Sequence, residues 1–87
     1  MMIYVQDGRR LINGAKVEYF DIRLESGKKA SVYANFAGSE NLIIGCYASL
    51  NEAIAALHHI NAAIVRKDRT FLMPRYGFFT EEERKRI

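Results

Sequence analysis

The sequence predicts a small α+β domain. The expected form is an antiparallel β-sheet of five to six strands packed against one C-terminal amphipathic helix, plus a short terminal helix. Three observations carry this. Short apolar segments alternate with Gly-containing turns through the first half. A Ser-x-x-Glu box at Ser49 opens a long segment of helical periodicity. A second box of the same type, from Thr80 to Glu83, opens a charged segment at the end.

Met2 to Val5 reads as the first strand, and Asp7-Gly8 suits a tight hairpin because both residues tolerate positive φ. Arg9 to Ile12 returns, and Asn13-Gly14 gives a second turn. Lys16 to Leu24 follows. Phe20, Ile22 and Leu24 share one face, whereas Val17 and Tyr19 have the opposite parity, which marks a bulge near Tyr19-Phe20 or a start apolar on both faces. After Ser26-Gly27, Lys29 to Phe36 is the clearest strand. Ala30, Val32, Ala34 and Phe36 point to one side and Lys29, Ser31, Tyr33 and Asn35 to the other. Gly38-Ser39 turns the chain into Leu42 to Tyr47. Leu42, Ile44 and Cys46 are placed on one face there, and Gly45 signals a bulge or a close backbone approach.

The helix is expected from Ser49 to about Arg66. At about 100° per residue, Leu50, Ala53, Ile54, Leu57, Ile60 and Ile64 line one stripe, assigned here to the sheet side. Asn61 falls inside that stripe and would need a buried hydrogen-bond partner. His59 lies opposite and reads as solvated, and His58 sits at the stripe's edge. Thr70 to Met73 is a last strand, ended by Pro74. Arg84, Lys85 and Arg86 would close the terminal helix with dipole-favourable charge.

Length and composition fit one folded domain over residues 1–74, followed by an aromatic and charged tail over 75–87. With 49% hydrophobic and 26% charged residues, the chain is not expected to be disordered. No apolar run reaches the roughly 18–20 residues of a membrane span, and no signal peptide is evident. Cys46 is the only cysteine, so no intrachain disulfide can form and a cytoplasmic setting is expected. The net charge of +3, from 13 Lys+Arg against 10 Asp+Glu, is a mild excess that permits nucleic-acid binding without arguing for it.

Residue patterns for chemistry are sparse. There is no Gly-rich phosphate loop, no metal-type Cys/His spacing and no EF-hand array. His58 and His59 are adjacent, so they point about 100° apart on a helix and cannot share one ion. Cys46 with His58 as base would make a nucleophile pair, but a small apolar residue on an inward strand face is the stronger reading of that cysteine. No catalytic residue, metal or cofactor is therefore expected, and the chain is not read as an enzyme.

Two surface features remain. Tyr76, Phe78 and Phe79 bunch around Gly77 after the last strand, and exposed aromatics of this kind mark protein contacts unless they fold back onto their own domain. Both arrangements stay open. Arg9-Arg10, Lys28-Lys29 and Arg66-Lys67-Arg69 lie in or beside three turns. If those turns cluster, they form a basic patch for nucleic acid, with Tyr33 or Tyr4 as a stacking platform.

Several segments together resemble small uncharacterised proteins of phages and mobile elements in Gram-positive bacteria. The shared features are Met2-Ile3-Tyr4-Val5, the Ile12-Asn13 turn, Phe20-Asp21-Ile22, and Ile44-Gly45-Cys46-Tyr47 leading into Ser49-Leu50-Asn51-Glu52-Ala53. Phe71-Leu72-Met73-Pro74 completes them, and the chain beyond Pro74 lies outside the pattern. The resemblance implies a fold type and a mobile-element setting, and it carries no catalytic residues. The leading functional expectation is a non-enzymatic binding protein, with a protein partner or a homodimer as its contact. A nucleic-acid-binding module is the alternative, and no membrane partner is expected.

Overall fold

The computed structural model describes residues 1–38 and 41–84. The elements are β1 (Met2–Tyr4), β2 (Leu11–Asn13), β3 (Val17–Leu24), β4 (Ala30–Phe36), β5 (Asn41–Tyr47), α1 (Leu50–Arg66), β6 (Thr70–Leu72) and α2 (Glu81–Arg84). The α+β class and the single long helix agree with the sequence reading. The single antiparallel sheet does not. The strands form two three-stranded sheets, ordered β2-β1-β6 and β3-β4-β5, and β6 runs parallel to β1. Ser39 of the expected turn, and Lys85 and Arg86 of the expected helix end, lie outside the described residues.

The division into two sheets has local causes. The β1–β2 hairpin closes through Val5 N donating to Arg10 O at 2.9 Å. Asn13 Oδ1 then accepts from Ala15 N at 3.0 Å and caps a single 3₁₀ turn over Gly14–Lys16. That turn swings the chain out of the first sheet before β3 starts. The parallel β1–β6 pair needs a long crossover, and α1 supplies it. The sheets meet where Gln6 N donates to Ile44 O at 2.9 Å.

In the second sheet β4 is central, and its inner face is as expected, but Ser31 and Asn35 on the other face are buried as well, so burial does not alternate along the strand. Ala30, Val32 and Ala34 are buried beneath α1, with Phe20 and Ile22 of β3 beside them. The β4–β5 register shifts once: Val32 pairs with Gly45 and Tyr33 with Ile43, so Ile44 is the extra residue of a bulge. The bulge reverses the parity of the residues after it. Cys46, expected on an inward face, is therefore exposed on the outer face, opposite Ser31 and with its Sγ 3.6 Å from Ser31 Oγ. Tyr47 points inward instead and is fully buried.

The helix boundaries match the sequence. Glu52 N donates to Ser49 Oγ at 3.2 Å, and Lys67 closes the C-terminus in the left-handed region with φ 61°. Its orientation does not match. The buried positions are Glu52, Ala53, Ala55, Ala56, Ile60 and Ala63, while Leu50, Ile64 and Val65 are exposed. The buried arc is rotated about 90° from the Leu/Ile stripe, judged at about 100° per residue. Asn61 is accordingly exposed and needs no buried partner. The cause is volume. The Tyr47 ring occupies the inner face of β5, and four of the six buried helix positions are alanines, which let the helix approach it and the β4 core closely, with Ile60 as the one large apolar side chain buried among them.

Candidate functional site

After β6 the chain is tied down before it turns. Met73 N donates to Tyr4 O at 3.1 Å, and Pro74 O accepts from Tyr47 Oη at 2.8 Å and from Gln6 Nε2 at 3.1 Å. A tight turn follows, with Phe78 N donating to Arg75 O at 3.0 Å and Gly77 at φ 81°, where a side chain would be strained. This turn sends Phe79 back into the protein, where it is 3% exposed. Its ring meets Tyr47 edge-on at 5.5 Å and lies 5.9 Å from the His59 ring. Phe78 packs on the outside, 5.7 Å from His59 and 5.4 Å from Phe79.

α2 fixes the arrangement from the other side. Glu83 N donates to Thr80 Oγ1 at 3.2 Å, and the Glu83 carboxylate accepts from Thr80 N at 3.3 Å, a reciprocal capping box. The same carboxylate reaches His59 Nε2 at 2.8 Å. That hydrogen bond holds the Glu83 carboxyl below its ordinary range, against a smaller opposing effect of burial and with help from Thr80. Burial pushes the Tyr47 phenol well up, so it stays a neutral donor to Pro74.

The sequence placed Tyr76, Phe78 and Phe79 together as contact residues, and the fold separates their roles. Phe79 is core. Tyr76, at 63% exposure, and Phe78, at 57%, face outward. Beside Phe78's partner His59 runs a groove of about 200 Å³, with Ile54, Ala55, His58 and Ala62 along α1 and Glu83 at its wall. The helix surface here carries no Lys, Arg, Asp or Glu between Glu52 and Arg66. The groove lies below the roughly 300–1,000 Å³ of small-molecule pockets, so its size suits one or two side chains. His59 was expected in solvent and instead holds the tail. The error follows from the face assignment, because a histidine opposite the stripe is solvated only if the stripe is the buried side.

The basic turns are not brought together. Arg10 lies by Val5 and Arg69 by Met2, where Met2 N donates to Arg69 O at 2.8 Å, so these two sit at opposite ends of β1. Arg9 shares its turn with Asp7, whose Oδ1 accepts from Arg9 N at 2.9 Å. Lys28 and Lys29 lie in the β3–β4 hairpin, at the end of the second sheet where Ala30 pairs with Tyr47. Arg66 is paired with Asp68 at 2.9 Å, and Lys67 is the helix cap. Of the two tyrosines considered for stacking, Tyr33 carries the Arg23 guanidinium over its ring at 4.2 Å. Tyr4 is partly exposed on β1.

Among the described residues, no group of three or more His, Cys, Asp and Glu is placed to hold a metal ion. No helix among them is long and apolar enough to cross a membrane. No protein-family model matches the chain, and no curated protein or solved structure matches it.

Proposed function

We propose that this chain is a non-enzymatic binding protein acting through protein–protein contacts, with the groove between α1 and the tail as its receiving surface. One observation carries the reading: a helix face without Lys, Arg, Asp or Glu between Glu52 and Arg66, a groove lined by Ile54, Ala55 and Ala62 with Asn51, His58 and Glu83, and the outward ring of Phe78 adjoin one another. Apolar side chains with polar groups beside them are what protein partners cover. The occupant proposed is an apolar side chain or two from a partner protein, packed beside the small side chains of Ala55 and Ala62. The resemblance to phage and mobile-element proteins adds an accessory or regulatory role in such a setting, and the lone cysteine supports a reducing, cytoplasmic one.

The nucleic-acid reading draws less support, because its basic residues lie at separate ends of the fold. Affinity capture from a native host lysate, with nuclease-treated and untreated arms, decides between them. The protein-contact reading requires a protein retained in both arms. Retention that disappears on nuclease treatment overturns it. Salt-sensitive binding to purified RNA or DNA would then be the mode to measure.

A further inference from the structure

The opposite flank of α1 poses a separate question. The tail covers the flank that carries His59, on the β5 side, through Phe79 and Tyr47. The other flank carries Leu50, Leu57 and Ile64 and lies above β3. Ile64 there is 51% exposed, and Leu24 of β3 is 68% exposed. β3 is also the outer strand of its sheet, paired only with β4 among the described residues. Its pairing with β4 runs unbroken from Tyr19 to Leu24, past the bulge at Glu18. Alternate backbone groups of that stretch therefore face outward without strand partners. Such an edge is a template for pairing with another strand.

We infer that the β3 edge and the α1 flank above it form a self-association surface, on which a second copy docks with β3 antiparallel to β3 about a two-fold axis at Ile22. Charge and strand length together select this register: Asp21 and Arg23, 3.7 Å apart within each chain, are the oppositely charged residues of β3 that a two-fold with both sheets facing the same way can set against each other. With the axis at Asp21, that carboxylate would face its own copy. With the axis at Arg23, two guanidinium groups would meet and Asp21 would oppose Glu25. With the axis at Ile22, Asp21 of each copy stands opposite Arg23 of the other, and like charges are not opposed. On the α1 side the same register sets Ile22 against Ile22 and Phe20 against Leu24. The β3-β4-β5 sheets of the two copies then join into one continuous sheet with both helices on the same face. The two α1 flanks turn toward each other, and each exposed Asn61 carries a carboxamide that both donates and accepts. This surface is distinct from the groove beside Phe78, so its failure leaves the partner reading untouched.

Sedimentation of three samples tests the inference: wild type, Arg23→Asp and Asp21→Arg. Wild type is expected at twice its 10.0 kDa chain mass. Each variant alone places like charges opposite one another twice, and its dimer dissociation constant is expected to rise about tenfold or more. An equimolar mixture of the two variants restores both opposite-charge pairs and should recover the dimer. Far-ultraviolet circular dichroism establishes that each variant is folded. Should either variant not fold, amide exchange of wild type replaces it, with concentration-dependent protection expected in Tyr19–Leu24. A wild-type monomer at all concentrations overturns the inference. So do variants that dimerise as wild type does, a mixture of folded variants that stays monomeric, or β3 exchange independent of concentration.

Discussion

The carboxamide of Gln6 pairs with both backbone groups of Cys46. Its Nε2 donates to Cys46 O at 3.0 Å, and Cys46 N donates to its Oε1 at 2.8 Å. A side chain thus stands in for one residue of a neighbouring strand and completes the ladder between the two sheets. The same Nε2 reaches Pro74 O at 3.1 Å, which Tyr47 also holds. One side chain therefore ties the first hairpin, the edge of β5 and the start of the tail.

Replacing Gln6 with Ala should destabilise the fold by about 1–2 kcal/mol, since Cys46 is exposed and water takes over part of the lost bonding. Gln6→Glu should cost more, because a carboxylate keeps the acceptor but turns toward two carbonyl oxygens. Urea denaturation of the three proteins measures both differences.

Gly45 lies under the Tyr47 ring. A Cβ built there would stand 2.8 Å from Tyr47 Oη and 2.9 Å from Cε2. The ring cannot retreat easily, being pinned by Pro74 and covered by Phe79. Gly45→Ala should therefore cost about 1–3 kcal/mol by overpacking. It should also loosen the tail, visible as a loss of aromatic near-ultraviolet dichroism beyond that of a surface substitution.

Tail docking should weaken in acid. The docked Glu83 carboxyl titrates below its ordinary value, so its contribution is complete above the ordinary carboxylate range. It is lost as the pH falls through the depressed value. Near-ultraviolet dichroism followed against pH should show a transition on the acid side, and Glu83→Gln should remove that component.

The local parts of this account were legible in the sequence, and the parts set by volume were not. The boxes at Ser49–Glu52 and Thr80–Glu83 involve neighbours in the chain: Ser49 Oγ caps Glu52 N while the Glu52 carboxylate accepts from Ala48 N, one residue before the amide expected, and Thr80 and Glu83 cap each other reciprocally. The alternation of Ala30, Val32 and Ala34 identified the core face of β4. Gly45 signalled a bulge or a close approach, and both occur, the bulge at Ile44 and the approach by Tyr47. The buried face of α1 was not readable, because periodicity weights large side chains and four of the six buried positions are alanines. From that error followed the misplacement of Asn61 and His59. The division of the sheet follows one capped turn at Asn13 and its bridging rests on one side chain, Gln6, and neither leaves a periodic trace.

The candidate site was half legible. The aromatic cluster marked the segment, but adjacent phenylalanines are indistinguishable until the turn at Gly77 decides which one enters the core. The distinction changes how the site is tested. Removing the chain beyond Pro74 would delete the buried Phe79 and perturb the fold, whereas Phe78 can be changed on the surface.

Under the proposed function, the groove and Phe78 receive a protein partner. Quantitative capture from host lysate tests this, by wild type, by an Ile54→Glu/Phe78→Ser double variant and by an Arg9→Ser/Arg10→Ser control. The groove variant should lose at least about tenfold of the captured partner, equivalent to about 1.4 kcal/mol, while still unfolding cooperatively. The arginine control should capture as wild type does. Equal capture by the groove variant and wild type would contradict the claim.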